Sequence, residues 1–170
     1  MNTLTYSIAG EFLEGSVEAE RFSLRAFSGG GRGRKGTGAE HSLSSYDFFR
    51  QEKDTSSGHI HGGPIPPGFY FCQYVPSHPK FHECIELVQT ITSVIQVDGA
   101  GLRSVDRDGF YIHGSGPHGS DGCIVIPKDT EDDRLRLNIA VKNAQSTVMV
   151  RVVEPGMPLP AVRETAGRLA

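Results

Sequence analysis

Glycine and proline occur so often in this chain that few long helices can form between them. The 170 residues include 21 glycines and 10 prolines, and both residue types interrupt helices and favour turns. The apolar runs between them are short, and several are rich in β-branched side chains that pack well on a sheet. The sequence therefore predicts a mainly β fold with one or two short helices.

Length and charge restrict the class of protein. A chain of this length fits one domain. We expect residues 1–153 to form it, with a long Gly/Ser-rich loop at 28–63 and a C-terminal tail at 154–170. The net charge of −3 gives no general attraction for nucleic acid. No apolar run approaches the roughly 18 residues that a membrane span needs, and the N-terminus lacks the features of a secretory signal.

Apolar alternation predicts the positions of the first strands. Residues 4–12 and 21–27 alternate, and the Glu-Gly-Ser at 14–16 suits a connection between them. A proline-glycine turn leads into a buried strand at 69–75, which the sequence Pro-Ser-His-Pro-Lys then ends. The run at 84–97 fits either a helical stripe or a strand, and its β-branched residues favour extended structure.

The second half of the chain shows shorter elements. Strands are predicted at 110–113, 124–126 and 147–153. Asp129 is predicted to cap a short helix, because acidic residues favoured in a first helical turn follow it, namely Glu131, Asp132 and Asp133.

The stretch FYIHGSGPHGSDGCIVIP, residues 110–127, carries the strongest functional signal. Alternation along the first strand places Phe110 and Ile112 in the core and Tyr111 with His113 on the other face. This predicts an imidazole at the exposed end of the strand. Ten residues after His113, a Gly-Cys pair opens the next apolar run, so neighbouring strands would bring thiol and imidazole within reach.

A thiol beside an imidazole can act as a nucleophile. The ordinary thiol is only slightly ionised at neutral pH, and an imidazole that takes its proton activates it. Gly122 allows a tight turn, which would aim the amides around Cys123 at the oxygen of a tetrahedral intermediate. The alternative is that Cys123 is a small core residue, which is the commoner role of a single cysteine in an apolar strand.

A family resemblance favours the catalytic interpretation. The segments FYIHG and GSDGCIVIP resemble the signature of the L,D-transpeptidase catalytic domain family, and GPIPPGFY resembles its turn into a strand. The short spacing from histidine to cysteine is closer to a compact subgroup that includes type VI secretion effectors attacking peptidoglycan. In that subgroup FSGGG, GPIPPG, SHPKF, GFYIHG and SDGCIVIP have counterparts in the same order. The resemblance implies a β-sandwich or barrel of the L,D-transpeptidase type.

The resemblance also implies roles for individual residues. Cys123 would be the nucleophile and His113 its base, while Ser120 would fix the loop and Gly122 with Cys123 would supply oxyanion amides. Asp121 stands where many members have histidine and receives no catalytic role. The group that orients the imidazole stays open between a backbone carbonyl and the Ser120 region.

The chemistry implied by the resemblance is acyl transfer on peptidoglycan stem peptides, as an L,D-carboxypeptidase, an L,D-transpeptidase or a D-amino-acid exchange enzyme. It needs no metal and no organic cofactor. Synthesis in the bacterial cytoplasm, export without a signal peptide and action in the periplasm would fit an antibacterial effector, or toxin, with a neutralising immunity protein as partner. Alternatives are a non-catalytic cell-wall-binding module with the same fold, or a cysteine peptidase or amidase on another substrate.

Candidate substrate-binding residues lie around the two catalytic ones. Tyr111 shares the face of His113, and His118 lies in the loop, where a solvent-exposed histidine without a role is the simpler interpretation. Arg32 and Arg34, in the loop sequence GRGRKG, would attract stem-peptide carboxylates or merely be solvated. That sequence has the form of a dinucleotide-binding motif but lacks the apolar helix that must follow it.

Two further readings of the histidines and cysteines compete with catalysis. His59 and His61 could join the loop residues in a zinc site, but no second pair has zinc-type spacing, and no metal is predicted. Cys72 and Cys84 could form a disulfide in an oxidising compartment or pack as free thiols in the core. The odd count of three cysteines leaves at least one thiol outside any internal disulfide.

Overall fold

The computed structural model describes residues 2–29, 51–53, 60–62, 64–89, 93–97, 101–105, 108–114, 120 and 122–153. These residues contain twelve strands, one 3₁₀ turn and one α-helix, which confirms the mainly β prediction. No helix within the described ranges is long and apolar enough to cross a membrane. The tail at 154–170 and most of the loop at 28–63 lie outside the described residues.

Eight of the strands form one large sheet. Their bounds are β1 Asn2–Ser7, β2 Phe12–Val17, β3 Glu20–Arg25, β6 Gly68–His78, β7 His82–Gln89, β10 Phe110–Gly114, β11 Ile124–Ile126 and β12 Val148–Val153. They lie in the order β11-β10-β7-β6-β12-β1-β2-β3. Two hairpins stand apart from it: β4 Gln51–Lys53 with β5 Ile60–Gly62, and β8 Ser93–Val97 with β9 Gly101–Val105. The pairs β1–β12 and β10–β11 are parallel, and the other neighbours in the large sheet are antiparallel.

The two edges of the large sheet meet just beyond β3. Phe27 forms an antiparallel bridge with Val125 of β11, in which the Phe27 amide donates to the Val125 carbonyl at 3.0 Å and the reverse bond measures 2.8 Å. The sheet is therefore nearly closed on itself, as a barrel-like architecture requires. This closure brings the segment that follows β3 against the strand that follows Cys123.

The core lies inside the curved sheet and under one helix. A 3₁₀ turn, Lys128–Thr130, leads into α1, Glu131–Asn143, which contacts β3, β6, β7 and β10. The helix buries Leu137 and Val141 in a core that includes Leu4, Tyr70 and Ile112. Burial of apolar side chains on this scale supplies the main driving force for folding.

The helix departs from the prediction at its start. Thr130, not Asp129, is the N-cap residue, and no side-chain hydrogen bond caps the helix there. Asp129 lies instead in the 3₁₀ turn. The acidic first turn is confirmed, and these charges face the partial positive charge of the helix N-terminus. A preceding turn that continues into the helix removes the need for a capping side chain.

The first hairpin was predicted in the wrong place. The Glu-Gly-Ser at 14–16 lies inside β2, so the segment forms three strands where two were expected. Gly15 pairs with Leu4, and a Cβ atom on Gly15 would lie 2.3 Å from the Thr3 carbonyl oxygen. Here glycine permits the close approach of β1, and the chain does not turn at it.

Two expectations about the central strands also change. β6 continues through Pro76 and Ser77 to His78, where the pairing with β7 shifts register between Val75 and His78. Proline has no amide hydrogen to donate to the sheet, but it is tolerated where the regular ladder is already interrupted. The run at 84–97 contributes to two different strands, because β7 ends at Gln89 and β8 begins at Ser93. Its extended character is confirmed.

Candidate active site

The histidine strand and the cysteine strand are parallel neighbours. β10 pairs with β11 so that Ile112 lies opposite Ile124 and His113 opposite Val125. Cys123 immediately precedes β11, so continuing the register places it beside Tyr111, one diagonal step from His113. Side chains of such positions share a face of the sheet. Phe110 and Ile112 on the other face are buried in the core, as predicted.

His113 is buried, and this corrects the expectation of an exposed strand end. Only 8% of the residue is exposed, because the Phe81 ring stacks on the imidazole with centroids 3.9 Å apart and planes inclined by 10°. Phe81 belongs to the turn between β6 and β7. Alternation along β10 predicted the correct face but not the cover supplied by a turn 32 positions earlier in the chain.

The hydrogen bond of His113 defines its tautomer. Nδ1 lies 2.8 Å from the Gly114 carbonyl oxygen, and a carbonyl can only accept, so Nδ1 carries the proton and Nε2 carries the lone pair. Burial lowers the pKa of His113, and the positive charges of Lys80 and Arg134 lower it further, against the opposite effect of the Gly114 bond. The imidazole is therefore neutral at pH 7 and has the form that a general base requires.

Cys123 differs from the other two cysteines in its surroundings. All three are free thiols. Desolvation raises the pKa of the Cys72 thiol to about 12 and also raises that of Cys84, so both are poor nucleophiles. Cys123 is partly exposed, and its Sγ lies 4.0 Å from the Gly109 carbonyl oxygen. Cys72 and Cys84 are thus not joined in a disulfide.

Ser120 connects the turn before Cys123 to the end of the closing segment. It is 6% exposed, and its hydroxyl donates to the Cys123 carbonyl oxygen. The Ser120 hydroxyl oxygen in turn accepts from the Gly29 amide at 3.3 Å and from the Gly122 amide at 3.4 Å. The Ser120 amide donates back to the Gly29 carbonyl at 2.8 Å. One buried side chain thereby ties the residue before β11 to a distant part of the chain.

Gly122 has the backbone conformation that a sharp turn requires, with φ of 122°. Its amide donates within the turn, to Ser120. The Gly122 amide could donate to an oxyanion only if its 3.4 Å hydrogen bond to the Ser120 hydroxyl opened. The oxyanion role of Gly122 stays a prediction.

Tyr111 lies among acidic groups and aromatic rings. It pairs with Glu86 of β7, and its ring centroid lies 4.9 Å from that of His78 and 5.5 Å from that of Phe81. Burial raises the pKa of Tyr111, and the negative charges of Glu86, of Asp108 and of ionised cysteines including Cys123 raise it further. The phenol is therefore a hydrogen-bond donor at neutral pH, close to the candidate nucleophile.

The aromatic side of the site was missed from the sequence. His78 and Phe81 lie in the segment PSHPKF, whose prolines predict the end of a strand and which contains one of the motifs of the family resemblance. Their role depends on contacts with β10, and nothing in the local pattern of the segment predicts those contacts. The only local hint is a histidine three positions before an aromatic residue, a spacing that suits a side-chain-capped turn.

Three predicted site residues lie outside the described residues, namely His118, Arg32 and Arg34, and so do Asp121, which received no role, and His59 of the rejected zinc alternative. The side chain of His61, in β5, is likewise not described. Among the side chains that the structure does describe, no group of three His, Cys, Asp or Glu residues could hold a metal ion.

Comparison with known proteins gives a distant likeness. No protein-family model matches the sequence, and no curated protein matches it. The chain is similar to an L,D-transpeptidase from Xylanimonas cellulosilytica DSM 15894, with 11% identity and a TM-score of 0.42, and to an L,D-transpeptidase from Mycobacterium smegmatis, with 12% and 0.41. Each likeness covers 89% of this chain but only 59% and 58% of the respective structure. The chain thus spans less than two thirds of either.

Proposed function

We propose that this protein is a cysteine-dependent acyltransferase that acts on peptidoglycan stem peptides, with Cys123 as nucleophile and His113 as general base. The observation that supports the proposal is the parallel pairing of β10, which carries the hydrogen-bonded imidazole of His113, with β11, which Cys123 immediately precedes. The resemblance of the surrounding motifs to L,D-transpeptidases supplies the substrate class.

The chemistry follows from these two groups. Nε2 of His113 accepts the thiol proton, and Sγ attacks an amide carbonyl of the stem peptide to give a tetrahedral intermediate. Collapse breaks the C–N bond, and the imidazolium returns the proton to the leaving D-amino acid. The thioester that remains is then attacked by water, giving carboxypeptidase activity, or by an amine, giving exchange or a cross-link. Either attack releases the thiol.

The test compares wild type with Cys123→Ala on purified muropeptides, with mass spectrometry as readout. We expect wild type to remove or exchange the terminal D-amino acid and Cys123→Ala to lose roughly a thousandfold or more of the rate. Cys72→Ala is the matched control and should retain activity, because desolvation raises the pKa of the Cys72 thiol to about 12 and makes it a poor nucleophile. Equal product profiles for wild type and Cys123→Ala would refute the catalytic proposal.

The biological setting is a finer part of the same proposal. The motif order resembles that of type VI effectors, and we propose a secreted antibacterial role in the periplasm with an immunity protein as partner. Expression of the chain behind an added periplasmic signal should then stop growth, whereas cytoplasmic expression and periplasmic Cys123→Ala should not. Normal growth during periplasmic expression of an active enzyme would rule out the toxin role.

A further inference from the structure

The turn between β6 and β7 is built around a histidine that no catalytic step uses. Nδ1 of His78 accepts hydrogen bonds from the backbone amides of Lys80 and Phe81, both at 3.1 Å. His82, at the start of β7, has a positive φ of 57°. These constraints hold the turn in one conformation and direct the Phe81 side chain toward β10.

Phe81 is the centre of an aromatic cluster over the candidate base. Its ring stacks on His113, as described, and also on His78, with centroids 4.8 Å apart and planes inclined by 18°. Tyr111 packs at a tilt against both His78 and Phe81. The Lys80 ammonium lies 5.4 Å from the Phe81 ring centroid, where the ring face attracts a cation.

The stack has two consequences for His113. A face-to-face contact at 3.9 Å leaves the imidazole little freedom to tilt, and the Gly114 bond limits rotation in the ring plane. Together they determine the direction in which the Nε2 lone pair points. The ring also covers one face of the imidazole, which is 8% exposed as a residue.

We propose that Phe81 is a positioning residue for His113, one that holds the imidazole plane and shields the base from water. The inference rests on the proposed function where catalysis is the readout, but the contact acts on the imidazole whether or not the substrate is peptidoglycan. The β6–β7 turn thus positions the candidate base on β10 through the Phe81 ring.

Several groups besides Phe81 face or neighbour the imidazole. Three of them carry charges that act on His113: His78 on β6, Lys80 in the turn and Arg134 on α1. The others are Tyr111 on β10, Cys123 immediately before β11, and Cys84, which follows Ile112 and Ile85 when the register of β10 with β7 is continued by one position. His78, Lys80 and Arg134 disfavour protonation of His113. Replacing Phe81 removes none of these three groups, although His78 and Lys80 both contact its ring.

The experiment measures the imidazole directly. Wild type, Phe81→Leu, Phe81→Tyr and the control Phe71→Leu are titrated by NMR with labelled histidine, and the His113 signal is assigned from its loss in His113→Gln. Phe71 is an exposed residue on β6, so its replacement tests for general effects on the sheet. We expect Phe81→Leu to raise the pKa of His113 toward its ordinary value near 6.5, while Phe81→Tyr and Phe71→Leu leave it at the wild-type value.

Steady-state kinetics on muropeptides supply the second readout. In Phe81→Leu the acid limb of kcat/KM should move to higher pH, and kcat should fall about tenfold with little change in KM, because a misdirected base slows chemistry and not binding. Phe81→Tyr should restore both. Phe81 is partly exposed, so Leu should be tolerated; Phe81→Met is the second apolar replacement if Phe81→Leu does not fold.

The outcomes separate the two proposals. An unchanged His113 titration and an unchanged pH profile in Phe81→Leu would overturn the positioning role. A shifted titration supports it even if wild type shows no activity on muropeptides, and in that case only the proposed function fails.

Discussion

Gly29 and Ser120 exchange hydrogen bonds across 91 positions of sequence, with the Gly29 amide donating to the serine hydroxyl and the serine amide donating to the Gly29 carbonyl. The segment that holds Gly29 also closes the sheet, through Phe27 and Val125. The turn that presents Cys123 is thus braced by the first third of the chain. The geometry of this turn depends on closure of the sheet, and the glycine-rich sequence around the turn is not sufficient to determine it.

Replacing Ser120 with alanine should destabilise the protein by about 1–3 kcal/mol. The change leaves the amides of Gly29 and Gly122 and the carbonyl of Cys123 without the hydroxyl they share, and buried polar groups without partners are costly. Urea unfolding measures the effect. The matched control is Ser23→Ala on β3, an exposed position where a change below about 0.5 kcal/mol is expected. Equal effects at the two serines would contradict the bracing role.

Alanine at Gly29 should cost more stability than alanine at Gly109. Both glycines have positive φ, 84° and 75°, so both substitutions pay roughly 1–2 kcal/mol of backbone strain. A Cβ atom on Gly29 would also lie 2.7 Å from the Pro64 nitrogen, whereas nothing lies within 4 Å of one on Gly109. We expect a further difference of about 1 kcal/mol or more from this overlap, measured by chemical denaturation. Equal losses of unfolding free energy in the two variants would contradict this prediction, since the Gly29 segment would then accommodate the Cβ atom at no extra cost.

Alkylation of the native protein should occur at one cysteine. Cys123 is partly exposed, whereas Cys84 is buried and the pKa of both Cys72 and Cys84 is raised by burial. Brief treatment with iodoacetamide at pH 7, followed by peptide mass spectrometry, should therefore modify Cys123 first, and denatured protein should react at all three positions. Rapid labelling of Cys84 in the folded protein would contradict the core as described.

Protonation of His113 should weaken the fold as pH falls. The pKa of His113 is lowered in the folded state, so between the ordinary value near 6.5 and the lower folded value the unfolded chain binds more protons. The contribution is fully present above about pH 6.5 and is lost as pH falls through the folded pKa. Urea titrations at pH 7.5 and pH 5 should show a larger loss of unfolding free energy for wild type than for His113→Gln. A larger loss of unfolding free energy in His113→Gln than in wild type would show that protonation of His113 does not destabilise the fold.

The local sequence predicted the two strands that carry the candidate residues. Alternation identified the strand that ends at His113 and the strand that starts after Cys123, because a half-buried strand repeats every two residues. Glycine and proline as signals of strand ends were less reliable. Gly15 looks like a turn residue but lies in β2, and β6 continues to His78 because Pro76 lies where the register shifts.

By itself, the amino-acid sequence determined the class of the fold and the two candidate catalytic groups. Glycine and proline limit helix length, and strand periodicity places His113 on one face of the sheet. The thiol is read directly from the sequence, because residue 123 is a cysteine. Tertiary structure alone decided what surrounds them. Phe81 covers the imidazole, Gly114 orients it and Gly29 braces the turn before the thiol. The contacts of Phe81 and Gly29 join residues far apart in sequence, and they form only when β10 lies beside β7 and the sheet closes at β11.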